Sequence, residues 1–525
     1  MKKQILLIVC TVSLALQTFQ ISAVAQQGKS MNVPPPSNDV ESLKSRIDEL
    51  EKQNKAIMQA LNEMRANIAP SSPLTATSSG GQHNFNGLKN DESKTADSKT
   101  GASDMARGGV TSSQSTQTNI GARQSVKAGP PPLAKSQLPA PEPSEQANDG
   151  PMRWSELIGG GNRFKLYGML RLDLDIDSQR PNNAQTPLFI NSEDPRLGKA
   201  SAASFSMHPR LTRLGIDYTG PHISELRRAK LSGKLEIDFE NGGTESRQVI
   251  RIRHAFAKIS WKDVSILTGQ TWDIFSPLIP TVNNDTAMWN AGNVGDRRPQ
   301  IRFAYDPHIG SGNLSLIGGV GLTGAIDSQD LDANGFRDGE ESGRPDIQAR
   351  VGYSRPLWVK DQTASVGMSG SYGWLSTTQP VTPTARTRFR SQIVNVDYKL
   401  PIAPILSLRG ELWWGRNMGD LRGGSGQSIN PLNGREIHGR GGWSELSLRL
   451  RSYWSVHPGF TTDDPVDADI PLGGRVRNRV LYIGNRISPD ASFTFGADYL
   501  RWKTNFKGFS RGLDNRINIF VQYGF

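Results

Sequence analysis

From Arg163 onward the chain is written in alternation. Phe164, Leu166, Gly168, Leu170, Leu172, Leu174 and Ile176 share one parity, and Lys165, Tyr167, Met169, Arg171, Asp173, Asp175 and Asp177 share the other. Successive side chains of a strand face opposite sides, so the stretch predicts a strand with one oily and one wet face. It outruns the ~5–6 residues of a soluble strand and suits the ~9–11 that cross a bilayer at a tilt. The pattern returns in Leu231 to Phe239, Ile347 to Tyr353, Leu406 to Trp414, Leu446 to Leu450 and Phe493 to Tyr499. It closes the chain in Ile517, Ile519, Val521, Tyr523 and Phe525. Ten such residues alone would equally suit a half-buried strand of a soluble sandwich; their repetition favours a membrane barrel.

The connections alternate too. Short ones at Trp261 to Asp263, Asp306 to Asn313, Leu400 to Pro404, Arg451 to Tyr453 and Ser488 to Asp490 fall between long ones at Asp177 to Ser204, Gly321 to Asp346, Gly415 to Gly441 and Asp463 to Gly474. Short turns at one end and long loops at the other characterise up-and-down outer-membrane barrels. At one strand per ~20–25 residues the expected fold is all-β, a transmembrane antiparallel barrel of about 16 strands over 163–525.

The upstream part reads differently. Met1-Lys2-Lys3, an apolar run from Ile5 to Leu16 and Ala23-Val24-Ala25 form a signal peptide over 1–25, which implies export. Within 37–69, Val40, Ile47, Asn54, Leu61 and Ile68 at a positions and Leu43, Leu50, Ile57 and Met64 at d positions predict a coiled-coil helix; a lone amphipathic helix is the alternative. Asn54 fixes register and by itself leans toward two strands. Residues 70–150, rich in Ser, Thr, Gly, Gln and Pro, cannot bury enough apolar surface to order themselves and are expected to be a disordered linker.

Composition narrows the classes. Only 36% of the residues are hydrophobic, and beyond the signal no segment approaches the ~20 apolar residues of a membrane helix. A barrel tolerates this, because only every second strand residue meets lipid. The net charge of +11 calls for an anionic partner. The only cysteine, Cys10, lies in the signal, which leaves no cysteine nucleophile or cysteine metal site. No enzyme is expected: Gly508-Phe509-Ser510-Arg511-Gly512 matches the hydrolase elbow string but sits in a predicted hairpin loop, without the strand-to-helix turn that activates such a serine.

Several strings carry a family likeness. Phe164-Lys165-Leu166-Tyr167-Gly168, Arg251-Ile252-Arg253-His254-Ala255-Phe256, Thr268-Gly269-Gln270-Thr271-Trp272, Arg298-Pro299-Gln300-Ile301-Arg302 and Phe520-Val521-Gln522-Tyr523-Gly524-Phe525 resemble the DcaP-like porins. The resemblance covers the barrel. It implies an outer-membrane porin in a homotrimer, passing small anions such as dicarboxylates, with a coiled coil in the periplasm. The expected partners are outer-membrane lipid and lipopolysaccharide, the barrel assembly machinery and peptidoglycan at the coiled coil, and no nucleic acid.

The resemblance also makes the segment after Trp272 a loop folded into the lumen, with Asp273, Asp285, Asp296, Arg297 and Arg298 as constriction candidates; a surface loop is the alternative. Arginines at lumen parity are Arg171, Arg251, Arg253, Arg302, Arg350 and Arg409, followed by Arg449, Arg475, Arg477, Arg479 and Arg516. Facing lipid at the bilayer midplane each would cost ~2–4 kcal/mol, so a barrel turns them inward. There they form weak anion sites or neutralise wall carboxylates such as Asp173, Glu236 and Asp238. Asp330, Asp332, Asn334, Asp338 and Glu341, with Gly335 at the sixth position, have calcium-loop spacing. No helices are predicted to flank that loop, so an acidic turn is the other reading; no other cofactor is expected. A plugged barrel serving as tether or adhesin, and a soluble nucleic-acid-binding β protein, are the competing functions.

Overall fold

The computed structural model describes residues 156–525 except 160, 198–201, 241–248, 283–285 and 327–328. The signal peptide, coiled coil, linker and Asp285 therefore lie outside the described residues.

Sixteen long strands form one antiparallel sheet. They are β1 Asn162–Asp177, β2 Arg213–Ile223, β3 Ala229–Asp238, β4 Arg251–Ser260, β5 Val264–Trp272, β6 Arg297–Tyr305, β7 Gly312–Gly321 and β8 Asp346–Pro356. The second half comprises β9 Thr363–Ser376, β10 Arg388–Ala403, β11 Leu406–Arg416, β12 His438–Arg451, β13 Trp454–Pro465, β14 Arg475–Ile487, β15 Phe493–Phe506 and β16 Phe509–Gly524. Each pairs with its neighbour in sequence, and β16 returns to β1 with Leu170 opposite Tyr523 and Ile176 opposite Ile517. The ring is closed, so no strand edge is left with unpaired backbone groups. A short strand, Ser204–His208, pairs with the far end of β1 and leads into β2.

The alternation sorts as predicted. Leu170, Leu172, Leu235, Ile301, Val351, Leu481, Ile517 and Val521 are exposed, while Arg171, Asp173, Glu236, Gln300, Asp397, Glu411, Glu445 and Asn518 are buried. Hydrocarbon outside and charge inside is the inverse of a soluble core, and it is the arrangement that a lipid solvent selects. Exposed aromatics, among them Tyr305, Tyr453, Trp454, Phe493 and Tyr523, gather toward the short-turn end, as an interfacial girdle does.

Two expectations change. The β15–β16 connection is only Lys507-Gly508, with Gly508 in the left-handed region at φ 74°, so Ser510 belongs to a strand and not to a hairpin loop. On β14 a register shift between Arg475 and Arg477 re-phases the strand. Asn478, Val480, Tyr482 and Arg486 then point in, which puts Arg477 and Arg479 on the outer face with Leu481 and Ile483. A bulge of one residue reverses every side chain beyond it.

Candidate functional site

After Trp272 the loop, residues 273–282 and 286–296, enters the ring and lies along the inner wall of β8 to β14. Its foot is clamped: the Asp273 N–H donates to the Asp296 carbonyl at 2.8 Å, and the Asp296 N–H donates to the Asp273 carboxylate at 3.0 Å. The fully buried Arg298 donates to Asp273 at 2.5 and 3.1 Å and to Asp420 at 2.9 Å, with Asp346 at 3.8 Å. Arg422 donates to Asp296 at 2.7 and 3.0 Å, and Arg297 stacks on the Trp272 ring at 3.9 Å. Asp273, Asp296, Arg297 and Arg298 thus fasten the loop's root.

The loop is tied down by inward polar residues of successive strands. The Ile274 N–H donates to Gln348 on β8 at 2.6 Å. Ser369 on β9 and Asn395 on β10 donate to the Phe275 carbonyl at 2.8 and 2.7 Å. Glu411 on β11 accepts from the Ser276 hydroxyl and the Leu278 N–H at 2.7 and 2.8 Å. Glu445 on β12 accepts from the Thr281 N–H at 2.7 Å and from the Tyr482 hydroxyl at 2.8 Å. Apolar contacts complete the seal, with Val282, Met288 and Ala291 against Val480, Tyr482, Leu500 and Trp502, and Phe275 and Val294 against Ile393 and Trp413. Buried backbone groups need partners, and here the wall supplies them.

All six arginines assigned to the pore point inward, and most are paired. Arg171 donates to Asp173 at 2.9 to 3.1 Å and lies 3.8 Å from the Phe520 ring centroid. Arg350 pairs with Asp397 at 2.7 Å and Arg409 with Glu445 at 2.8 Å, one carboxylate for each guanidinium. On β2 to β4 the ratio differs. Arg253 pairs with Glu236 at 2.7 Å and Asp238 at 2.8 Å, Arg251 with Asp238 at 2.7 Å, and Arg213 lies 3.4 Å from Glu236. Three guanidiniums share two carboxylates. Arg302 donates to the Trp272 carbonyl at 2.5 Å and to Gln300 at 3.1 Å. A further basic set lies at the short-turn end. Lys165, Lys230, Lys399 and Arg449 have inward parity, and among the described residues their side chains have no ion-pair or hydrogen-bond partner. Alternation along the sequence places Lys165 on the polar face without a role and does not single out Arg213, Lys230 or Lys399, although each shares parity with an inward residue of its own strand.

The calcium-spaced loop is held by other donors. Asp330 accepts from the Asn334 and Gly335 N–H groups at 3.1 and 2.8 Å, Asp332 from the Thr378 N–H at 2.7 Å, Asp338 from the Leu331 N–H at 3.2 Å, and Glu341 from the Asn334 amide at 2.8 Å. Among the described residues no group of three acidic, histidine or cysteine side chains is gathered to hold an ion. Burial, reinforced by Asp330, Asp332 and Glu341, pushes the Asp338 carboxyl up to about 7.

No family profile and no curated protein matches the chain. Among solved structures it is similar to the outer membrane channel DcaP of Acinetobacter baumannii, with a TM-score of 0.54 and 16% identity over 70% of this chain and 99% of that one. The chain has the DcaP fold. The anion-selective porin from Comamonas acidovorans lies further off, with a TM-score of 0.45 and 12% identity over 69% of this chain and all 100% of that one. The DcaP-like part corresponds in length to the barrel, and at this identity the likeness speaks for the fold alone.

Proposed function

We propose that the chain is an outer-membrane porin through which small anionic solutes, dicarboxylate-like ones among them, diffuse. The observation that carries the reading is a surplus of positive charge on the lumen wall: three arginines on two carboxylates at β2 to β4, which the inward loop leaves bare, with Lys165 and Lys230 on the same side and Lys399 and Arg449 at the short-turn ends of β10 and β12. In a wet pore one charge pair at contact gains only ~1 kcal/mol, so an anion can step along such sites and still leave. The long-loop end faces outside and the short turns face the periplasm. The working unit is a homotrimer inserted by the barrel assembly machinery, with the segment 37–69 as a periplasmic coiled coil that aids trimer formation or reaches peptidoglycan.

Planar-bilayer recording of the purified full chain tests this. A steady conductance whose reversal potential in a potassium chloride gradient reports chloride preference is the expected result; cation preference removes the anion reading. The inward packing of residues 273–282 and 286–296 favours one competitor, a plugged barrel acting as a tether. An absence of conductance would establish that reading in place of the porin.

A further inference from the structure

The outer face of the barrel carries its own basic cluster. Arg479 on β14 stands directly opposite Lys503 on β15, and Arg501, two positions before Lys503, stands opposite Leu481. Lys503 is also opposite Leu513 on β16, so Arg511 is its diagonal neighbour. Cross-strand partners sit ~4.5–5.5 Å apart and diagonal ones ~7–8 Å apart, which places all four cations on one small patch. Among the described residues none of the four makes a side-chain hydrogen bond or ion pair; of the carboxylates nearby, Asp464 is taken by Arg477 at 2.5 Å, and the exposed Glu193, whose N–H donates to the Arg511 carbonyl at 3.3 Å, pairs with none of them. Like charges directly opposite each other on a sheet repel. The patch therefore lacks an anion.

Its position says which kind. It lies at the long-loop end, immediately above the exposed apolar residues Leu481, Ile483, Tyr499 and Ile517. The belt continues on β10, where Arg388 and Arg390 are outward and exposed. At the short-turn end the outward strand positions are mainly apolar or aromatic, and the outward cations there among the described residues are Arg355 on β8 and Arg451 on β12, which stands opposite the outward Trp454. Outward cations thus gather at one membrane face, at the height where a lipid's hydrocarbon gives way to its headgroup. An arginine beside a phosphate makes paired, charge-assisted hydrogen bonds, and the apolar band below accepts the acyl chains.

We propose that Arg479, Arg501, Lys503 and Arg511 form a binding site for the phosphate-bearing headgroup of an outer-leaflet glycolipid. The proposal rests on the barrel being an outer-membrane protein, and its test is read separately from conduction. The detergent-purified full chain is compared with the triple variant Arg479→Ser, Arg501→Ser, Lys503→Ser and with Arg355→Ser by native mass spectrometry. The probes are bis-phosphorylated lipid A, the same lipid stripped of phosphate, and inorganic phosphate as competitor. Heat-modifiable gel migration verifies that each variant is folded, and conductance is recorded on the same preparations.

Retention of phosphorylated lipid A is expected to fall at least about tenfold in the triple variant and to stay at the wild-type level in Arg355→Ser, with unchanged conductance throughout. Inorganic phosphate at millimolar concentration is expected not to displace the lipid. Equal retention by wild type and triple variant, equal retention of the dephosphorylated lipid, or displacement by inorganic phosphate would each overturn the lipid site while leaving the permeation reading as it stands. Loss of the oligomer in the triple variant at unchanged lipid retention would assign the patch to a second copy of the chain and overturn it as well.

Discussion

The two sides of the lumen use the same residue types for different ends. On the wall covered by the inward loop, Arg350, Arg409 and Arg486 each have a carboxylate of their own, Asp397, Glu445 and Asp498, at 2.5 to 2.8 Å. Their charge is cancelled, and what remains is a rigid, hydrogen-bonded seat for the loop. On β2 to β4 of the bare wall, Arg213, Arg251 and Arg253 outnumber Glu236 and Asp238, so a local positive field survives pairing there, whereas on β16 and β1 Arg516 is shared between Asp175 and Asp177. An arginine in a barrel interior is thus a staple or a field source according to how many carboxylates it meets, and strand parity alone does not say which.

The comparison can be broken at its firmest point. Glu445 is buried and accepts from Arg409, Thr281 and Tyr482. Glu445→Ala leaves a buried guanidinium unpaired, an event that costs about 3–5 kcal/mol. A matching drop in unfolding free energy and a larger, noisier conductance from a loosened loop are the expected readouts; unchanged conductance noise would mean that the loop is held elsewhere.

The selectivity arm is next in size. Replacing Lys165 and Lys230 together by Gln should move the reversal potential toward the cation side, with Arg213→Gln shifting it the same way by less. The charge-neutral pair Arg350→Gln with Asp397→Asn should leave it in place, because the two groups cancel each other's charge. If the paired wall moved the potential as much as the bare one, the division would fail. Both shifts should shrink at 1 M salt, where the screening length is about 3 Å.

The smallest effect is expected where neither wall is involved. Asp338 stands in the loop between β7 and β8, and its carboxyl is raised to about 7 against ~3.9 in an unfolded chain. A raised acid favours the protonated folded form, so local stability is retained at low pH and lost as pH climbs from about 4 through about 7. Protease nicking within 322–345 should increase over that range, and Asp338→Asn should flatten the dependence. Added calcium that suppressed nicking in wild type but not in Asp338→Asn would mean that the acidic loop closes on an ion.

The sequence by itself determined the two-faced strands, their approximate number, the long and short ends and the inward direction of Arg171, Arg251, Arg253, Arg302, Arg350 and Arg409, because a period of two is a local property of the chain. It placed the inward loop only through likeness to known porins. Only the tertiary structure decided which arginines are neutralised, since Glu236 reaches Arg213 and Arg253 from a different strand and Glu445 reaches Arg409 from the next one. It also decided that Asp273 and Arg298 are a clamp, because Asp346 and Asp420, far along the chain, complete it. Arg479 shows the limit of parity most directly: the bulge before Arg477 lies in the pairing of two strands, and an alternation read along one of them cannot register it.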